Sequence, residues 1–329
     1  MIQSLLDTNV GNKEFDLMVD QEHLEEVWST IEQNILKYIE NYLDGIAHYK
    51  SQSKESFNEF LKDIIKKNDT LHNKYHKLFD LELMEEEYAE DTESFKSITL
   101  KKECDVIKNT LKNRSESLNE WKSKFYSCND QILYDTFYNM MTFAAEYDEE
   151  MDESAMEKLD NIEDCRLSEM VNNACYKTGV IGFGIVANIL NHMYPRTFPG
   201  NYKAGLYSLY FFSERKAIDM PSNTSEFCMV KDNENSKIGV INQTVRKTTL
   251  EEHNYYFPYE TFCIYTIRIY HLIIESIRIR LNKEYINDYR FLLTNDFYDY
   301  VISKNEHIIE SMIGKDDNEL KKRKSILEK

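Results

Sequence analysis

Apolar residues recur along the first third of the chain at steps of three and four, the spacing that lines up one face of an α-helix. From Asp20, a side chain suited to capping a helix start, one stripe runs Leu24, Trp28, Ile31, Ile35, Tyr38, Tyr42, Ile46 and Tyr49. A second runs Phe57, Leu61, Ile64, Leu71, Tyr75 and Leu78, with Asn68 in register on the same seam. A third runs Leu100, Cys104, Ile107, Leu111, Leu118, Trp121 and Phe125, with Arg114 taking one of its places. Each keeps a seven-residue repeat, which predicts three helices about 45 Å long packed as antiparallel neighbours in a coiled-coil-like bundle. A polar side chain on such a seam either sets register and partner choice or marks a stretch facing solvent. Both readings are open for Asn68 and Arg114.

Beyond residue 165 the pattern shortens. All four prolines and seven of the nine glycines lie there, so the long helices should give way to a compact, turn-containing domain. Gly179-Val-Ile-Gly182-Phe-Gly184 leads into an apolar stretch read as a buried core helix. Its G-x-x-G-x-G order, with helix-like sequence before it, departs from a dinucleotide fingerprint, and the glycines are expected to serve close helix packing. Ser225 to Ile241 reads as two short strands around a polar turn, a β-hairpin. After Pro258, Phe262, Tyr265, Ile269, Leu272, Ile273, Ile277 and Leu281 form a core-facing helical stripe, and a further helix carries Phe297, Tyr300, Val301, Ile308 and Met312, ending at Gly314. The expected fold is therefore mainly α. Residues 1–165 form an acidic long-helix bundle, 166–314 a compact aromatic-rich helical domain with a hairpin near 225–242, and 315–329 a basic tail helix.

Charge sharpens that division. Residues 1–165 hold 38 Asp and Glu against 18 Lys and Arg, whereas 166–329 hold 20 against 22, so the whole net charge of −18 originates in the first half. Its densest runs are Glu85-Glu86-Glu87 and the stretch from Glu146 to Glu153 that includes Glu149 and Glu150. Such runs read either as solvated helix ends or as a docking surface for a basic partner, with mimicry of a nucleic-acid backbone as a variant of the second.

Several classes are argued against. There is no phosphate-binding loop, no nucleophile elbow and no zinc-ligand cluster. His72 and His76 stand four apart, a spacing that could ligate a metal, but no third ligand accompanies them and a solvated face is the simpler expectation; no metal and no cofactor are expected. The six cysteines are scattered without a C-x-x-C pair, as expected of reduced, buried thiols. The start lacks a basic segment before its apolar residues, and no run is long enough to span a bilayer. A cytoplasmic location without membrane association is the expectation.

Two constellations in the second half could carry chemistry. Arg246 and His253 form an R-x6-H spacing that resembles the higher eukaryotes and prokaryotes nucleotide-binding (HEPN) ribonucleases. The resemblance implies that this Arg and His line a dimeric cleft and cleave RNA without metal. Tyr255 and Tyr256 beside Lys247 and Arg268 interleave aromatics with cations, which could stack bases while neutralising phosphates. Core packing beneath a helix start accounts for the same aromatics. The long acidic half fused to a compact helical domain instead suggests a non-enzymatic assembly subunit with a protein partner, as homo-oligomer or part of a larger complex, docking through Glu85, Glu86, Glu87, Glu149 and Glu150. A composition rich in Lys, Asn, Ile and Tyr suggests an AT-rich bacterial or phage source, and with it a role in anti-phage defence or counter-defence. A ribonuclease or nucleic-acid binder is the alternative.

Overall fold

The computed structural model describes residues 17–49, 56–114, 118–177, 179–200, 202–214 and 259–312, and these are mainly helical. Helix α1, Gln21–Ala47, starts where Asp20 accepts a hydrogen bond from the His23 amide at 2.9 Å, satisfying one of the orphan donors of the first turn. Leu24, Ile31, Ile35, Tyr42 and Ile46 are buried as their spacing requires, and Trp28, Tyr38 and Tyr49 are half-buried. Val27, Ile39 and Leu43 are buried as well, so the apolar face is wider than a heptad seam. The reason is the number of partners: α1 packs on α2 (Ser56–Phe79) and also on three helices of the second half. A two-helix seam needs only a narrow stripe, whereas a helix surrounded by neighbours needs a broad one.

The third stripe is not one long helix. The chain passes through a π-helical segment at Phe95–Glu103, where the Cys104 amide reaches back five residues to the Thr99 carbonyl at 2.8 Å. It then turns extended at Cys104, resumes as α3 (Asp105–Lys112), breaks again at Asn113, and resumes as α4 (Asn119–Ser127). Asn109 and Asn113 are side chains that compete with the helical backbone for hydrogen bonds. The inward pattern survives the breaks: Leu100, Cys104, Ile107 and Phe125 are fully buried. Arg114 is exposed at the interruption. A second π-helical turn, Met84–Tyr88, carries Glu85, Glu86 and Glu87.

Helix α5, Asp130–Glu150, follows, and three short helices, Glu153–Lys158, Ile162–Cys165 and Glu169–Asn172, replace the continuous helix that the sequence suggested before Gly179. Then come α6 (Phe183–Met193), α7 (Tyr202–Phe212), α8 (Tyr259–Leu281) and α9 (Arg290–Met312). Helices α7, α8 and α9 pack against one another and each against α1, while α6 lies on α2, α3 and α7. One buried cluster runs from Met18 through Val301, drawing on both sides of residue 165. Its centre is aromatic. Tyr42 meets Phe297 edge-on at 5.3 Å, and Phe297 stacks on Phe212 at 6.3 Å; such pairs contribute about 0.5–1.5 kcal/mol each beyond their buried area.

Among the described residues there is no strand, only an isolated antiparallel bridge between Lys177 and Ile181. Gly179 turns that bridge at φ +72°, a conformation that a side chain would disfavour. The hairpin expected near 225–242 and the basic tail of 315–329 lie outside the described residues. Close packing falls on other glycines than those expected: a Cβ at Gly182 or Gly184 would meet nothing within 4 Å, whereas one at Gly205 would come within 2.5 Å of the Phe262 ring. Gly205 is thus what lets α7 approach α8. Among the described residues, no helix is long and apolar enough to cross a membrane.

Candidate functional site

The first acidic run touches the helix that carries the second, some sixty residues further along the chain. Glu85 accepts a hydrogen bond from Tyr138, in the middle of α5, at 2.6 Å. Eleven residues on is Glu149, about three turns and about 16 Å further along the same helix and pointing in nearly the same direction. Glu85, Glu86, Glu87, Glu149 and Glu150 are all exposed, as are Asp135 and Glu146. The last turn of α5 has no basic residue. Cations reach it from elsewhere: Arg166 pairs with Glu150 at 2.8 Å, and Arg196 clamps Asp148 through two nitrogens at 3.0 and 2.8 Å, with Thr197 also donating to Asp148. Glu146 and Glu149 make no ion pair with any described residue. Carboxylates at a helix C-terminus face the negative end of the helix dipole, which disfavours them.

Arg268, a phosphate contact in the alternative, nucleic-acid-binding reading, is turned inward. It is 9% exposed and bound through Nε to Asp160 at 2.6 Å and through Nη1 to Glu25 at 2.8 Å, with its guanidinium over the Trp28 ring at 5.5 Å. That hydrogen bond holds the Glu25 carboxyl below the usual range, against the opposing effect of burial. The arginine ties α8 to α1 and to the turn at 160, so its charge is already satisfied within the chain. Arg290 differs: it is 1% exposed, lies over the Tyr270 ring at 5.4 Å and donates through Nη1 to the Arg196 carbonyl at 2.7 Å, but Nε and Nη2 have no partner. Burial pushes its pKa down. Arg246, Lys247, His253, Tyr255 and Tyr256 lie outside the described residues.

The most organised polar site was not expected from the chain. Helices α2, α6 and α9 enclose a cavity of about 250 Å³. From α2 come Lys67 and Asn68, from α6 Asn188, Asn191 and His192, and from α9 Asn295, Asp296 and Asp299, with Ile64, Leu71 and Leu292 between them. Its floor is buried and its rim is wet: Asn68 is 5% and Asn191 3% exposed, while Lys67 and Asp299 are exposed. The floor is rigidly set. Asn191 donates to the Phe198 carbonyl at 2.8 Å and accepts from Asn295 at 2.8 Å, and the absence of a side chain at Gly200 makes room for it, since a Cβ there would lie 2.5 Å from its amide carbon. Tyr75 donates to Asn188 at 3.3 Å, and Tyr42 to Asp296 at 2.8 Å.

Asn68 is therefore neither a register residue between chains nor a solvent-facing one. It lines this cavity, and its Oδ1 has no hydrogen-bond partner. Burial pushes the His192 imidazole down to about 4, so the ring is uncharged near neutrality. Burial also raises the Asp296 carboxyl, against the hydrogen bond from Tyr42 that lowers it. His72 and His76 are half-buried, not solvated: their rings lie 4.4 Å apart, and His72 Nδ1 donates to the His192 carbonyl at 2.8 Å, which sets its tautomer. Among the described residues, no group of three His, Cys, Asp or Glu is placed to hold a metal ion. Four of the described cysteines are buried, and burial holds the Cys104 and Cys175 thiols up at about 12, unsuited to thiolate chemistry.

Asn68 stood out in sequence as a polar place on an apolar stripe, whereas Asn188 and Asn191 gave no such signal. Nothing in the spacing said that three separate helices would bring them together. Compared with protein families, curated proteins and solved structures, the chain matches none.

Proposed function

We propose that this protein is a non-enzymatic interaction subunit that docks a basic protein partner on the acidic face of α5 and the neighbouring π-helical turn. The observation that carries this reading is the end of α5, where Glu146 and Glu149 stand uncompensated against the helix dipole. Carboxylates concentrated where they oppose the fold's own electrostatics contribute little to stability, so a role in recognition accounts for them better. The π-helical turn adds to it by carrying Glu85, Glu86 and Glu87 in the exposed positions next to the point where Glu85 meets Tyr138 of the same helix. The five carboxylates would steer a basic surface into contact, with an attraction that fades once the Debye length falls to about 8 Å near 0.15 M salt.

The test uses the full chain as bait, wild type against the variant with Glu85, Glu86, Glu87, Glu149 and Glu150 all changed to Gln, in extracts at low and at high salt. A partner held by the wild type at low salt, released by high salt and not held by the variant is the expected result. The same proteins retained by both baits at both salt concentrations would remove the acidic face from the interface.

A further inference from the structure

The cavity between α2, α6 and α9 is a built site. Its walls are three long helices, its floor amides are fixed by hydrogen bonds to one another and to the Phe198 carbonyl, and Asn68 brings a 95%-buried amide whose oxygen is unmatched within the protein. Asn68 lines the cavity, while that oxygen is itself buried from it. The cavity is also open to solvent at the rim formed by Lys67 and Asp299. Its contents can therefore exchange.

The lining decides what fits. Asn68 and Asn188 bring amides to the wall, Asn191 and Asn295 are engaged with each other and with the Phe198 carbonyl, two carboxyl groups can accept, one ammonium donates, and His192 contributes an uncharged ring. An apolar ligand would match only Ile64, Leu71 and Leu292, and an anion would meet the carboxyl groups of Asp296 and Asp299. A hydroxyl is donor and acceptor at once, and a molecule bearing several hydroxyls matches a mixed, near-neutral lining of this kind. The volume of about 250 Å³ is the room of roughly eight waters, below the ~300–1,000 Å³ of sites for drug-sized ligands. It suits one sugar ring or cyclic polyol and excludes a nucleotide. Ile64, Leu71 and Leu292 supply apolar contact for the carbon skeleton.

We infer that this cavity is a binding site for a small, uncharged, hydroxyl-rich ligand of the monosaccharide or polyol class, held by Asn68, Asn188, Asp296 and Asp299 above the Asn191–Asn295 floor. The site is independent of the acidic face of α5.

Thermal unfolding of the full-length protein with D-glucose, D-ribose or myo-inositol at about 10 mM, each against L-alanine, tests it. At least one hydroxyl-rich probe should raise the Tm by roughly 2 °C or more, the shift expected for a site well above half saturation, and L-alanine should not. Asn68→Leu fills a similar volume without the amide, so the unliganded protein should melt at or above the wild-type temperature while the shift disappears. Asp299→Asn, at the exposed rim, should reduce the shift, with circular dichroism checking that the variant is folded, and it keeps the test open should Asn68→Leu fail to fold. No shift with any hydroxyl-rich probe, an equal shift in both variants, or stabilisation by L-alanine alone would overturn the assignment.

Discussion

Along the last turn of α5, carboxylates stand in solvent with two of them lacking a cation among the described residues; between α2, α6 and α9, polar groups are drawn into the fold, a histidine is held uncharged and amides bond to amides. The two regions show how the chain sorts polarity by its cost. A charge in water needs no partner, so carboxylates can accumulate on a face for other purposes. A charge or an unmatched amide inside the fold is expensive, so polar groups there are neutral, hydrogen-bonded or placed where a ligand can complete them. Arg268 marks the boundary between the regimes: buried itself, it is covered by Glu25 and Asp160, which reach out to solvent.

The contrast breaks most visibly if a carboxylate is tolerated inside. Ile35 is 0% exposed within the single chain, so Ile35→Asp should unfold the protein, at a cost of about 4 kcal/mol or more, and not merely dissociate an oligomer. Circular dichroism against temperature reads it; a cooperative melt close to that of the wild type would mean that the α1 core is far looser than its burial implies.

A pH titration probes the same boundary more gently. His192 has an ordinary value of 6.5 and a folded value of about 4, so between these pH values the unfolded chain takes up a proton that the folded chain refuses. Its contribution is complete above about 6.5 and is lost as pH falls toward 4, by about 3 kcal/mol. Glu25, whose carboxyl is lowered chiefly by the Arg268 hydrogen bond, loses its contribution at lower pH still, as it protonates below its ordinary 4.5. Urea unfolding from pH 7 to pH 4 should show the first loss in the wild type and a flattened profile in His192→Gln. Equal slopes in the two proteins would place the imidazole in water.

The smallest effect concerns the face. Replacing Glu146 and Glu149 with Gln removes charge opposed by the helix dipole, so the protein should gain a few tenths of a kcal/mol, up to about 1 kcal/mol, at low salt, and the gain should shrink as salt is added. Destabilisation by these changes, measured by the same urea titration, would show that the two carboxylates are structural.

The interior was legible in part. The stripes through α1 and α2 mark residues that are buried or half-buried, because burial imposes its period on a regular helix whatever the partners are. The same period was misleading between Leu100 and Phe125, where the π-helical segment and the breaks at Cys104 and Asn113 changed the path of the backbone while keeping the apolar residues inward. Arg268 is ambiguous in sequence for a related reason. A cation on a helix has the same sequence signature whether it faces a phosphate or a buried carboxylate, and the choice was made by Glu25 and Asp160, 243 and 108 residues away.

By itself, the sequence determined the helical class, the inward-facing residues of the regular helices, the Asp20 cap and the excess of negative charge in the first half, since each follows from local spacing or composition. Only the tertiary structure decided that α1 is surrounded by second-half helices, that Glu85 meets the helix that carries Glu149, and that Asn68, Asn191 and Asp296 meet around one cavity. Those relations join residues more than a hundred positions apart, or, for the acidic runs, more than sixty. They depend on which helices pack together, and helix periodicity tells which face is buried but carries no information about what buries it.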